Sequence, residues 1–139
     1  MSNRKHIKVG DVMSRGVRTI GGMSTIREAI AVMRDNRLGS LVVERRDEDD
    51  EYGLLEQYDI AKNVIANNRS IDRTNVYEIM SKPVMAVALD MDIRYAVRLL
   101  VRFRLTRALV IDDTRSPVGI VTLRDMVYGQ LDELEQENS

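Results

Sequence analysis

Slid along itself by 67 positions, the sequence matches itself. Met13-Ser14 falls on Met80-Ser81, Val17 on Val84, Ile26-Arg27 on Ile93-Arg94, Ala29 on Ala96, Arg37-Leu38 on Arg104-Leu105 and Val43 on Val110. These are nine identities in 31 ungapped positions, where chance gives about two, and self-similarity at a fixed spacing marks a duplicated structural unit. With one residue dropped from a loop, Gly53 meets Gly119 and Asp59 meets Asp125. The 139 residues therefore read as two copies of one unit, at 8–68 and 76–135, joined by a polar linker at 69–75. Neither copy has enough apolar cover alone, so the two should pack together.

Both copies predict the same order of elements. An amphipathic lead-in (Val9 to Met13; Val76 to Met80) precedes a β-branched run at Val17–Ile20, matched by Val84–Val87. A helix follows, with a core-facing stripe at Ile26, Ala29, Ile30 and Met33 in copy one and at Ile93, Ala96, Val97 and Leu100 in copy two. Thr25 with Glu28 has the form of a capping box, and Asp92 takes the cap position in the second copy. A buried strand comes next (Leu41 to Val43; Ala108 to Ile111), then a turn, then a strand opened by Gly53 or Gly119. A closing helix runs over about 57–67 and 123–135. Each unit is β-α-β-β-α, and the fold class is α+β.

Composition removes several functions. There is no cysteine, and one histidine, His6, lies near the N-terminus. Thiolate chemistry is therefore excluded, and imidazole catalysis and multi-histidine metal sites nearly so. No nucleophile–base pair or Walker loop is present, so the reading is not an enzyme, with no catalytic residue, no metal site and no obligatory cofactor. A net charge of −1 lacks the basic footprint of a nucleic-acid binder. No apolar run reaches membrane-spanning length, and no apolar core follows the charges of Met1 to His6. The expectation is a cytoplasmic protein without a membrane partner.

The junction of the last strand and last helix is the place to look for a ligand. In copy two it reads Gly119-Ile120-Val121-Thr122-Leu123-Arg124-Asp125. A helix start offers backbone N–H groups and a positive dipole end that suit a phosphate. Thr122 adds a hydroxyl, and Asp125, one turn on, can accept both hydroxyls of a ribose diol. The competing reading is local: Thr122 caps the helix and Asp125 favours its dipole.

The double repeat, the Met-Ser pair before each first strand and the Gly-x-x-Thr-x-x-Asp run resemble tandem cystathionine β-synthase (CBS) domains, a Bateman module. The resemblance implies two β-α-β-β-α repeats packed through their sheets with pseudo-twofold symmetry. It also implies a regulatory module without chemistry of its own, binding AMP, ADP or ATP in a cleft between the repeats, with S-adenosylmethionine the lesser candidate. Carried onto this sequence, it makes Thr122 a phosphate or ribose contact and Asp125 the ribose acid, with Arg124 beside them. Val17, Arg18, Thr19 and Ile20, and Leu38, Gly39 and Ser40, would join that cleft. A second, weaker cleft would combine Asp59 with Val84, Met85, Ala86, Val87, Thr106 and Arg107. There Glu56 stands where copy two has Thr122, and its carboxylate repels phosphate unless Arg107 compensates. The alternative is a ligand-free module that dimerises or docks on a partner protein.

Arginine outnumbers lysine 17 to 4. Arg94, Arg98 and Arg102 recur every four residues on one helix face, a spacing that costs about 0.2–0.5 kcal/mol per like-charge pair in an isolated helix. Either a solvated face or an acidic partner accounts for them. Nucleic acid is the weakest alternative, because net charge is near zero and aromatics do not interleave. The run Asp47 to Glu51 lacks the spacing of a calcium loop and reads as a hairpin turn. The acidic tail from Asp132 extends and frays the last helix. A homodimer is expected, with Ile26, Ile30, Ile93 and Val97, or the closing helices, at the contact, together with an unidentified protein effector.

Overall fold

Local signals set most element boundaries. The computed structural model describes residues 6–137; residues 1–5, on which the leader reading rests, and 138–139 lie outside them. In chain order the elements are α1 (Val9–Val12), β1 (Ser14–Arg15), β2 (Thr19–Ile20), α2 (Ile26–Asn36), β3 (Ser40–Val43), β4 (Gly53–Glu56) and α3 (Gln57–Ile60). The second copy continues with β5 (Ala86–Ala88), α4 (Ile93–Arg102), β6 (Arg107–Ile111), β7 (Pro117–Thr122) and α5 (Leu123–Glu137). The predicted caps hold: Thr25 Oγ1 accepts the Glu28 N–H at 3.2 Å, and Asp92 Oδ1 accepts the Arg94 N–H at 2.8 Å. No helix among the described residues is long and apolar enough to cross a membrane.

Two compact units result. One holds Arg18–Val84; the other holds the described residues up to Val17 and from Met85 onward. In the first, β2 pairs in parallel with β3 and β3 antiparallel with β4. In the second, the order is β1-β7-β6-β5, with only β5 and β6 parallel. Each sheet is covered by the predicted helix stripe. Ile26, Ala29 and Met33 are buried in the first core, and Ile93, Ala96 and Leu100 in the second. Burial of each large aliphatic side chain stabilises the fold by about 1.5–3 kcal/mol.

The lead-ins exchange places. Val9, in the lead-in of copy one, is buried in the core of the second-repeat unit. Val76 and Ile79, in the lead-in of copy two, are buried in that of the first. The Met-Ser pairs make the same exchange. Ser14 and Arg15 pair with Ile120 and Gly119, and Ser81 bridges to Leu54. The chain leaves the second-repeat unit after Gly16, whose N–H bonds Val118 O, and joins the first at Arg18, whose carbonyl accepts from Val42. It returns between Val84, bonded to Tyr52 O, and Met85, whose carbonyl accepts from Leu109. This is why the predicted four-residue runs shorten to strands at 19–20 and 86–88: their first residues are spent on the crossing.

The polar stretch 69–75 also belongs to the first-repeat unit. Thr74 is buried, Ile71 and Thr74 carbonyls accept from Arg27 and Ile26, and Arg27 pairs with Asp72. The closing helix of copy one is shorter than predicted. After α3 it widens into a π-helix at Ala61–Ile65, with the Ala66 N–H reaching Ala61 O, and Asn68 at φ 56° turns the chain back.

An ion cluster ties the β3–β4 turn to the chain beside Met80-Ser81. Asp50 accepts from Lys82 Nζ at 2.6 Å and from the Arg46 backbone N–H at 2.9 Å and its Nε at 3.1 Å. The Lys82 ammonium and then Arg46 hold the Asp50 carboxyl well below the usual carboxylate range. A carboxyl depressed in the folded state stabilises it above the unfolded pKa of about 4 and loses that contribution as pH falls below it. Asp50→Asn should therefore lower stability at pH 7 and flatten the stability–pH curve below pH 4. Urea melts of both proteins at pH 7 and pH 3 check this; a constant gap between them contradicts it.

Candidate functional site

The β7–α5 junction has the geometry of a reciprocal capping box. The Thr122 N–H donates to Asp125 Oδ2 at 3.0 Å, and the Asp125 N–H donates to Thr122 Oγ1 at 3.0 Å. The local reading of these residues is thus realised. It leaves binding capacity over. A carboxylate offers about four lone-pair positions, of which the box uses one, and the Thr122 hydroxyl still has its hydrogen to donate. Both residues are half-buried, and α5 begins at Leu123, so its first N–H groups and positive dipole end lie at the same place. Capping and ligand binding are compatible here.

Strand register brings further residues to this end of the sheet. Arg107 is the cross-strand partner of Thr122, and the Leu123 N–H donates to Thr106 O at 2.9 Å. Met85, just before β5, accepts from Leu109 two residues along β6. Within the second-repeat unit the structure therefore brings together Met85, Thr106, Arg107, Thr122 and Asp125. Arg124 stacks its guanidinium 5.3 Å from the Tyr128 ring centre.

The same construction recurs in the first-repeat unit. Ser40 is the cross-strand partner of Glu56. The Gln57 backbone N–H donates to Gly39 O at 3.1 Å, and its side chain to Leu38 O at 3.3 Å. Arg18 accepts from Val42 and donates through its guanidinium to Asn36 at 2.7 Å, and Thr19 donates to Glu44 at 3.2 Å. Asp59 Oδ2 accepts the Glu56 N–H at 2.8 Å. Burial pushes the Asp59 carboxyl up, against the pull of that N–H and of Lys62. Leu38, Gly39 and Ser40 thus stand beside Glu56 and Asp59, and Thr106 and Arg107 beside Thr122 and Asp125. The sequence expectation had joined each of these pairs to the other junction. Counting outward from the turn, where Ile111 faces Pro117, would set Arg107 opposite Val121; a β-bulge between Val110 and Ile111 shifts the pairing by one and sets Arg107 opposite Thr122.

The arginine row lies on exposed positions of α4, and aromatics do interleave with it. Arg94 and Arg98 stand 5.7 and 5.5 Å from the Tyr95 ring centre, and Arg102 5.7 Å from that of Phe103. Arg94 also pairs with Asp92 at 3.2 Å. Ile26 and Ile93, expected at a contact between copies, are buried inside their own units. Of the four expected there, Ile30 and Val97 stay partly accessible, beside the closing helices. Each lines an apolar groove between its unit's two helices, of about 350 Å³ in the first-repeat unit and about 430 Å³ in the second.

Comparison with known proteins agrees with this architecture. The CBS domain family model matches residues 9–66 and 76–131. An uncharacterized protein of Methanopyrus kandleri is 31% identical over 88% of this chain, which spans 62% of that protein's length. The structure of a hexameric CBS-CP12 protein from bloom-forming cyanobacteria superposes with a TM-score of 0.84 at 33% identity, over 88% of this chain and 70% of that one. A CBS domain protein of Pyrobaculum aerophilum complexed with AMP has the same fold at 20% identity, with a TM-score of 0.79 over 96% of this chain and all of that one.

Proposed function

Because this chain belongs to the CBS domain family, we propose that it is a regulatory module that binds an adenine nucleotide at the β7–α5 junction. The observation that carries this is the Thr122–Asp125 box, which leaves a hydroxyl donor and three carboxylate lone-pair positions at a helix start. Thr122 and the first N–H groups of α5 hold phosphate, Asp125 takes the ribose hydroxyls, and Arg107, across the register from Thr122, supplies positive charge. The Pyrobaculum relative complexed with AMP supports this ligand class. Met85 to Val87, after the return crossing, supply backbone groups to the base. S-adenosylmethionine carries no phosphate for the helix start and is the lesser candidate.

The Glu56–Asp59 junction is the weaker site. Glu56 brings a negative charge where a phosphate would lie, α3 has four residues before the helix widens, and burial of Asp59 disfavours its charged form. The protein also self-associates through the helix-pair grooves, and ligand occupancy is passed to an effector protein. No step of chemistry is assigned to it, and its place is the cytoplasm.

The test is a thermal-shift screen with AMP, ADP, ATP, NAD, GTP and S-adenosylmethionine. A ligand at 100 times its dissociation constant adds about 2.7 kcal/mol of stability, a shift of several degrees for a chain of this size. Adenine nucleotides should shift the melting temperature and GTP should not. No shift with any of them favours a ligand-free docking module.

A further inference from the structure

The two closing helices differ in length. By the repeat register Ile65 corresponds to Leu131, so α5 carries an extra stretch from Asp132 that the first copy lacks. This overhang combines acid and apolar surface. Leu134 within it is 41% exposed, Val127 and Leu131, on the same face just before it, are 63% and 54% exposed, and Asp132, Glu133 and Glu135 surround Leu134. The neighbouring helix has the opposite character. Residues 93–111 hold five arginines and no acidic residue. Among the described residues no carboxylate pairs with Arg98 or Arg102. Tyr95, Val101 and Phe103 beside them are 52%, 61% and 53% exposed.

We propose that the acidic, leucine-lined overhang of α5 docks on the arginine row of α4 in a second copy of this chain, and reciprocally. Both surfaces extend about two helical turns, on the order of 10–12 Å. Both pair apolar side chains with charge of opposite sign, which sets register and partner choice. Because row and overhang lie in one unit, a twofold pairing makes the contact twice with the same residues, the isologous form of a dimer. This rests on the self-association reading and names its surface.

The test uses two charge-reversed full-length chains, Arg98→Glu/Arg102→Glu and Glu133→Arg/Glu135→Arg, each checked for parental circular dichroism. Sedimentation velocity at tens of micromolar is run at low and at 0.5 M salt. The parent should be a dimer that weakens at least tenfold in high salt. Each variant alone should be monomeric, because acid then faces acid or base faces base. Their equimolar mixture should dimerise, since both contacts regain opposite charges. Variants that dimerise like the parent would overturn this surface and leave self-association standing. A mixture that stays monomeric also overturns it. A parent that is monomeric but retards a fluorescent oligouridylate through Arg98 and Arg102 overturns it in favour of nucleic acid.

Discussion

Asp125→Ala should weaken AMP binding at least tenfold while the protein stays folded. The carboxylate is proposed to accept both ribose hydroxyls, and hydrogen bonds to a charged acceptor contribute about 1.5–3 kcal/mol each in favourable cases; tenfold is about 1.4 kcal/mol. The substitution also removes the acceptor of the Thr122 N–H, and losing a helix cap costs about 1 kcal/mol of stability. Asp125→Asn separates the effects. Its amide oxygen still accepts the Thr122 N–H, so stability should return toward the parent's while affinity stays reduced, one ribose acceptor being lost with the charge. Asp59→Ala, in the other unit, should leave the stronger binding event intact. Calorimetry with AMP on the three variants and urea melts of each check this. Parental affinity in Asp125→Ala, with loss of all binding in Asp59→Ala, would reverse the ranking of the sites.

Gly119→Ala should destabilise the second-repeat unit by about 3 kcal/mol, the upper end of overpacking costs. A Cβ at Gly119 would run into the Ser14 backbone carbonyl and stand 2.8 Å from Met13 Sδ. The carbonyl cannot yield without breaking the β1–β7 pairing. Gly53→Ala is the matched experiment. There the nearest atom is Met80 Sδ at 2.9 Å, with the Ser81 carbonyl at 3.2 Å. A thioether end can swing away, so the cost should be about 1 kcal/mol. Urea unfolding of both variants measures the difference. Equal costs would mean that the two Met-Ser crossings are seated alike.

These glycines show what the sequence revealed and what it hid. Gly53, Gly119 and the Met-Ser pairs stand out as repeated identities, yet the repeat alone suggests that each Met-Ser serves its own copy. Each is instead seated on the glycine-led strand of the other. A 67-residue repeat is satisfied equally by either arrangement, because both put a Met-Ser against a glycine. Helix positions and caps were legible, since a 3.6-residue stripe and a Thr or Asp at its start act within one helix. Thr122 and Asp125 were legible for the same reason: their spacing is one turn of α5. The grouping of Arg107 with Thr122 depends on β6–β7 register, a cross-strand property, and that of Ser40 with Glu56 depends on β3–β4 register in the same way. The widening of the closing helix after Ile60 had no sequence signal. Tyr95 and Phe103 were in plain view among the arginines and acquire meaning only once α4 sets their rings beside the guanidinium groups.

Whether an adenine nucleotide binds this module is decided by calorimetric titration of the full chain with AMP. A saturable isotherm, lost with guanine in place of adenine and weakened at least tenfold by Asp125→Ala, is the predicted result. Absence of saturable heat with AMP, ADP and ATP into the millimolar range, from protein shown to be folded by its melt, would contradict it.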